Sequence, residues 1–295
     1  MQYRLLKPRY WPTWLLLGFM RLVVWCPYKM QLMVGYALGR ILRLLARRRW
    51  QVTLVNLRMC FPEMTEKQRL KIAKNHFTAL GTGVIEFGMC WWMSEHRLRR
   101  LTTEVRGMEH LQAARAQGHG VLLLAGHFTQ LEIIGRILGM HTDMQFMYRP
   151  IANPVIEDVM RRNRERIFER AIPRNDVRSL LMGLKQGKPI WYANDQGYRG
   201  KGSIMVPFFG IPAPTNPALS RVAHSSAAPV VPFFGERLPG SRGYRLEIFP
   251  ALKNFPSDDP AADAARINKF LEDNIRRAPE QYLWSHDRFK KVPRA

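Results

Sequence analysis

The chain has 295 residues, of which 46 are Lys or Arg and 23 are Asp or Glu, giving a formal net charge of +23. It is 46% hydrophobic, too apolar for a disordered basic chain. Three cysteines exclude a disulfide scaffold, and at most one marginal apolar run excludes a polytopic membrane protein. What remains is a globular protein of one or two domains with a large core and a positive surface. The partner of that surface is anionic: nucleic acid, an acidic membrane face, an acidic protein or a phosphorylated substrate. Cys26, Cys60 and Cys90 form no CxxC pair and are expected to be buried and reduced, which points to a reducing compartment.

The apolar run Trp11 to Cys26, WPTWLLLGFMRLVVWC, is short for a membrane span and lacks a small-residue cleavage site. Trp11, Trp14, Trp25 and Tyr28 at its ends suit a membrane interface. Residues 29–50 continue as a basic amphipathic helix, with Arg40, Arg43 and Arg47 between Met33, Val34, Leu38, Ile41 and Leu42. Residues 1–64 hold eleven basic side chains and one acid, Glu63. Residues 1–50 therefore read as a membrane-anchoring segment, by span or by shallow insertion, and residues 51–295 as the body. A soluble helical subdomain is the alternative.

Thr65-Glu66-Lys67-Gln68 is a capping box for a helix ending near Leu80, with Gly81 as its stop. The aromatic patch FGMCWWM, residues 87–93, is core or an apolar wall. Helices are expected at 109–117, 129–139, 154–170, 176–187, 218–226 and 261–277. Strands are expected at 120–125, 143–149, 189–193, 229–235 and 244–249, with a short one at 282–284. Residues 195–217 read as a Gly- and Pro-rich loop. The alternation predicts an α/β body with a mixed, largely parallel sheet flanked by helices, and such sheets place their sites where strands end.

The first strand end reads Gly126-His127-Phe128-Thr129-Gln130-Leu131-Glu132. Five residues of continuous helix would part His127 from Glu132 by about 140°. They meet only if His127 lies in the turn and Glu132 in the first turn of the helix. A carboxylate on Nδ1 would fix the tautomer and leave Nε2 as a general base. Tyr148-Arg149-Pro150 and Asn194-Asp195-Gln196 end the next strands, and a run of Arg161, Arg162, Arg164 and Arg166 follows Arg149. Most of that run should be a solvated face, with one or two arginines turned to the site. Val206-Pro207-Phe208-Phe209-Gly210 is either a wall of a substrate groove or turn chemistry.

These blocks together resemble the bacterial lipid A late acyltransferases, the lauroyl and myristoyl transferases of the lysophospholipid acyltransferase-like group. The resemblance covers nearly the whole chain. It rests on His127 with Glu132, on Tyr148-Arg149-Pro150, on Asn194-Asp195-Gln196, on Val206 to Gly210, on Pro229 to Phe233 and on Asn56 to Pro62. It implies transfer of an acyl chain, lauroyl by preference, from an acyl carrier protein thioester to a hydroxyl of a Kdo-bearing, tetra-acylated lipid A precursor. Transfer at the second, myristoyl-type step or to another lipid is the alternative within the family. It also implies catalytic roles for His127, Glu132, Arg164 and Asp195, substrate contacts from Arg149 and Gln196, and a place on the cytoplasmic face of the inner membrane. No cofactor or metal is expected: His127, His141, His224 and His286 lack paired-ligand spacing. A nucleic-acid-binding protein fits the charge but no nucleic-acid motif is present, and a non-catalytic membrane scaffold is the remaining rival.

Overall fold

A computed structural model describes residues 3–193, 195–198, 200 and 202–289. Four helices lead: α1 (Trp11–Trp25), α2 (Tyr28–Leu45), α3 (Arg47–Cys60) and α4 (Glu66–Trp92). The capping box forms at the start of α4, where the Thr65 hydroxyl accepts from the Gln68 amide and the Gln68 side chain accepts from the Thr65 amide at 2.7 Å. Gly81, however, does not end the helix. A Cβ on Gly81 would collide with the Gly35 carbonyl and the Gly39 amide, and one on Gly35 would sit 2.7 Å from the Thr82 Cα. The glycines let α2 and α4 meet backbone to backbone, so α4 runs on for 27 residues. The aromatic patch therefore falls in its last turns, with Met89, Cys90, Trp91 and Met93 buried.

α1 is built into the same core. Leu17, Met20, Val23 and Val24 are buried, and burying a side chain of this kind contributes about 1.5–3 kcal/mol. Arg97 donates to the carbonyls of Val24 and Cys26, both at 2.7 Å, and closes the end of the helix. The other stripe of α1, Trp11, Leu15, Phe19 and Leu22, is exposed. Fifteen residues of helix are about 22 Å long, short of the roughly 30 Å hydrocarbon core. Among the described residues no helix is long and apolar enough to cross a membrane, so of the two expected modes of attachment the span finds no support. Residue 50 falls inside α3.

Beyond these helices come α5 (Glu95–Leu101), β1 (Thr102–Arg106), α6 (Met108–Arg115), β2 (Val121–Ala125), α7 (Leu131–Gly139), β3 (Gln145–Tyr148), α8 (Pro154–Ile167) and β4 (Arg170–Pro173). The chain continues with α9 (Val177–Lys185), β5 (Pro189–Ala193), β6 (Ile204–Phe208), β7 (Ile211–Thr215), α10 (Ala218–Ser226), β8 (Val230–Arg237), β9 (Tyr244–Ile248) and α11 (Pro260–Arg277). Seven strands form one sheet in the order β1-β9-β8-β2-β5-β3-β4, parallel except for the β8–β9 pair. The mixed, largely parallel α/β sheet is thus as expected. β2 is buried on both faces: Val121, Leu123 and Ala125 feed one apolar cluster, and Leu122 and Leu124 the other.

Four strands were not legible. β1 and β4 are short edge strands, β1 of polar sequence and β4 only four residues long. The expected loop at 195–217 contains the β6–β7 hairpin, in which Pro207 faces Pro212, a placement open to proline in a two-stranded ribbon. Phe209 (φ 53°) and Gly210 (φ 75°) form its turn, while Val206, Pro207 and Phe208 of the same block lie in β6.

Gly81→Ala is expected to cost at least about 1–3 kcal/mol through overpacking. Gly18→Ala, with nothing within 4 Å of the new Cβ, should instead add about 0.5–1 kcal/mol of helix stability. Urea unfolding midpoints of the two variants check both signs.

Candidate active site

β2 and β5 pair in parallel with Ala125 opposite Ala193. His127 and Asp195 each follow two residues later, so the register sets them side by side at the carboxyl edge of the sheet. Asp195 accepts from the His127 backbone amide at 2.8 Å, and its other oxygen bonds Nδ1 of the same residue. The carboxylate that holds the imidazole is therefore Asp195. This corrects the expected His127–Glu132 contact. Glu132 does sit in the first turn of α7, but its carboxylate is taken by Arg164 of α8, through Nη2 to Oε1 and through Nε to Oε2 at 3.2 Å. The Arg164 guanidinium also lies over the rings of Phe146, at 4.8 Å, and Tyr148, at 5.5 Å. Both partners are buried.

The turn that carries His127 is clamped from the far end of the chain. Leu283 donates to the His127 carbonyl at 3.0 Å, and Thr129 donates to the Gln281 carbonyl at 2.8 Å. Phe128 and Tyr282 form a β-bridge, which is what remains of the expected strand at 282–284. On the Asp195 side, the Gly197 amide donates to His286 Nε2 at 3.2 Å. Asn56 in turn donates to the carbonyls of Trp284 and His286, both at 2.8 Å. Behind the turn, Arg237 binds both oxygens of the buried Glu86, at 2.6 and 2.7 Å, and reaches the Thr129 hydroxyl at 3.5 Å. Asn56 lies in α3. Nothing in the sequence marks Gln281, Tyr282 or His286 as neighbours of residue 127, because their contacts are long-range and largely through backbone.

Burial alone would push the His127 pKa down, but the Asp195 charge and its hydrogen bond outweigh this and hold it above the ordinary value. Burial opposes ionisation of Asp195, yet the imidazole and the amide donor bring its pKa down to about 2. Asp195 is thus ionised at neutral pH, fixes the Nδ1–H tautomer and leaves Nε2 for the cleft. Burial pushes the Cys60 and Cys90 thiols well up, so neither is a ready nucleophile.

A cleft of about 630 Å³ opens beside His127, with Glu132, Arg149, Arg164 and Gln196 among its lining residues. Asp195 lies behind the imidazole, 2% exposed. Arg149 and Gln196 are exposed, and Arg174, which the sequence did not single out, joins them on the wall. The apolar part of the wall includes Phe87, Met160 and Trp191. Of the arginine run in α8, only Arg164 lines this cleft. Arg161 and Arg162 pair with Asp158, and Arg161 also with Glu165. Asn194 lies outside the described residues. The arrangement can take a proton at Nε2 and set a cationic side chain beside the site of reaction.

Breaking the Glu132–Arg164 pair from one side strands a buried charge. Glu132→Leu or Arg164→Leu alone should cost about 3–5 kcal/mol, and the double variant less than the sum. Urea unfolding of the three variants measures the coupling.

The comparisons with known proteins cover the whole of this architecture. The family model for bacterial lipid A biosynthesis acyltransferases matches residues 1–291. The chain is 39% identical over 290 residues to the lipid A biosynthesis lauroyltransferase of Escherichia coli K12, covering 98% of this chain and 94% of the relative. It is also 39% identical over 292 residues to the palmitoleoyltransferase of the same organism, with the same coverage. Identity to that organism's lipid A biosynthesis myristoyltransferase is 26% over 279 residues. The chain is a member of the bacterial lipid A biosynthesis acyltransferase family and an acyltransferase.

Proposed function

We propose that the protein moves a fatty acyl chain, of lauroyl type, from an acyl carrier protein thioester to a hydroxyl of a Kdo-bearing, tetra-acylated lipid A precursor, with His127 as the general base. The observation that carries the reading is the His127–Asp195 contact at the mouth of a cleft walled by arginines and apolar side chains. An alcohol is a poor nucleophile at neutral pH and needs a base in the transition state. His127 Nε2 takes the hydroxyl proton as the oxygen attacks the thioester carbonyl, and Asp195 stabilises the imidazolium. The carbonyl oxygen becomes an oxyanion, for which Arg164 supplies positive charge. As the tetrahedral intermediate collapses, the carbon–sulfur bond breaks and the imidazolium returns its proton to the leaving thiolate. Glu132 acts by holding Arg164 in place. Arg149 and Gln196 at the rim contact the acceptor.

Relatives named for lauroyl and for palmitoleoyl transfer are equally similar, so the donor choice rests on an assay. Incubation with carrier-protein thioesters of several lengths, followed by mass spectrometry of the lipid, should show one added lauroyl group. A palmitoleoyl or myristoyl product would replace that part of the reading.

The base must be neutral to act. With the His127 pKa held above its ordinary value, the rate should rise with pH through that raised value. Asp195→Asn removes the charge that raises it, so the limb should move to lower pH while maximal turnover falls. His127→Ala should lose about 10²–10⁴-fold in turnover at every pH. An unmoved limb in Asp195→Asn would show that Asp195 does not set the titration.

Membrane attachment at the cytoplasmic face of the bacterial inner membrane is part of the same proposal. It is supported by the exposed stripe of α1 and by Met30, Met33, Ile41 and Leu44 of α2, which together suit an interfacial rather than a spanning contact. Leu15→Ser with Phe19→Ser should shift the protein from the membrane pellet to the supernatant with its fold intact, because both side chains are exposed. Retention in the pellet would assign the attachment to another face.

A further inference from the structure

A second groove, of about 470 Å³, lies apart from the His127 cleft, where the end of α1 meets the ends of α4, α7 and α8. Arg21 and Trp25 of α1, Trp91 of α4, Arg136 of α7, and Asn163 and Arg166 of α8 line it. The two cavities share α8 but use different faces of it: Met160 and Arg164 turn to the cleft, Asn163 and Arg166 to the groove. Nothing in the acyl-transfer chemistry uses these residues.

Three arginines converge on this groove against one carboxylate. Glu95 also lines it, but Arg99 already holds Glu95 through two nitrogens, at 2.9 and 2.6 Å. Arg136 spends its donors on the carbonyls of Met89, Cys90 and Met93, at 2.8, 2.7 and 2.6 Å. That caps α4 while leaving a half-buried positive charge that makes no ion pair among the described residues. Arg21 and Arg166 are exposed and have no ion pair among the described residues. Trp91 is 6% exposed, and its indole N–H is buried without an acceptor. A groove with spare cationic donors calls for a ligand that carries an anion with several acceptor oxygens.

Its position narrows the source of that anion. Arg21 and Trp25 are i and i+4 on one face of α1, and Trp25, Leu22, Phe19 and Leu15 are all more than half exposed. A headgroup phosphate in the groove would leave its acyl chains beside this apolar stripe. We propose that the groove binds the phosphate of an anionic membrane lipid, a site separate from the acceptor cleft. The inference deepens the membrane reading and rests on it.

Vesicle flotation tests it, with full-length protein on phosphatidylcholine alone and on phosphatidylcholine mixed with phosphatidylglycerol at one ionic strength. The unmodified protein should prefer the mixed vesicles. Arg21→Gln with Arg166→Gln should lose about tenfold of that preference while binding phosphatidylcholine as before. Lys71→Gln with Lys74→Gln removes the same charge from the other end of α4, about 30 Å away, and should keep the preference. Equal loss in both double variants would reduce the effect to bulk charge and overturn the site. So would an unmodified protein that binds both vesicles equally, which leaves the membrane reading standing. Binding to neither vesicle would overturn the membrane reading itself.

Discussion

The parallel register of β2 with β5 is the constraint on which the site depends. With Ala125 opposite Ala193, the two chains leave the sheet at the same level, and the second residue beyond each end is His127 or Asp195. A one-residue slip would flip every side chain of β2 to the other face. It would also exchange Leu122 and Leu124 for Leu123 between two separate apolar clusters. Core packing on both faces of β2 and the placement of the imidazole are therefore one requirement. The hydrogen bonds from Leu283 and Thr129 then fix the turn from outside the sheet.

Two buried ion pairs flank this turn and divide the labour. Glu132–Arg164 stands at the cleft, where the pair fixes a guanidinium on the wall. Glu86–Arg237 stands behind the turn, where Tyr244 also donates to Glu86 at 2.7 Å. Buried pairs of this kind are weak contributors to stability when judged against apolar replacements. Their use here is geometric. A bidentate arginine has one orientation, and each pair ties α4 or α7 to an element distant in the sequence.

The positive charge is also divided. Many of the arginines serve the fold rather than a partner: Arg97 closes α1, Arg136 closes α4, and Arg288, 2% exposed, donates to Thr215 at 2.8 Å. The basic amino-terminal segment is not an appendage, since Val24 is fully buried and α2 lies against α4 backbone to backbone. Removing that segment would open the core. The stripe of α1 that the core does not use stays exposed.

The sequence by itself determined the central strands, most of the helices, the capping box and the strand-end turns that carry His127 and Asp195. Each of these is written in local periodicity or in residues adjacent along the chain. It also carried the family, because blocks in fixed order are a linear property. Only the tertiary structure decided which acid holds His127. Glu132 is five residues away and Asp195 is 68, but a sheet brings residues together by register, not by separation along the chain. The same holds for Gly81, which reads as a helix stop until α2 is laid across it, and for the apolar run of α1. Leu17, Met20, Val23 and Val24 of that run proved to be core, leaving a helix about 22 Å long whose other face is exposed. Contact across elements, rather than any local preference, set all three.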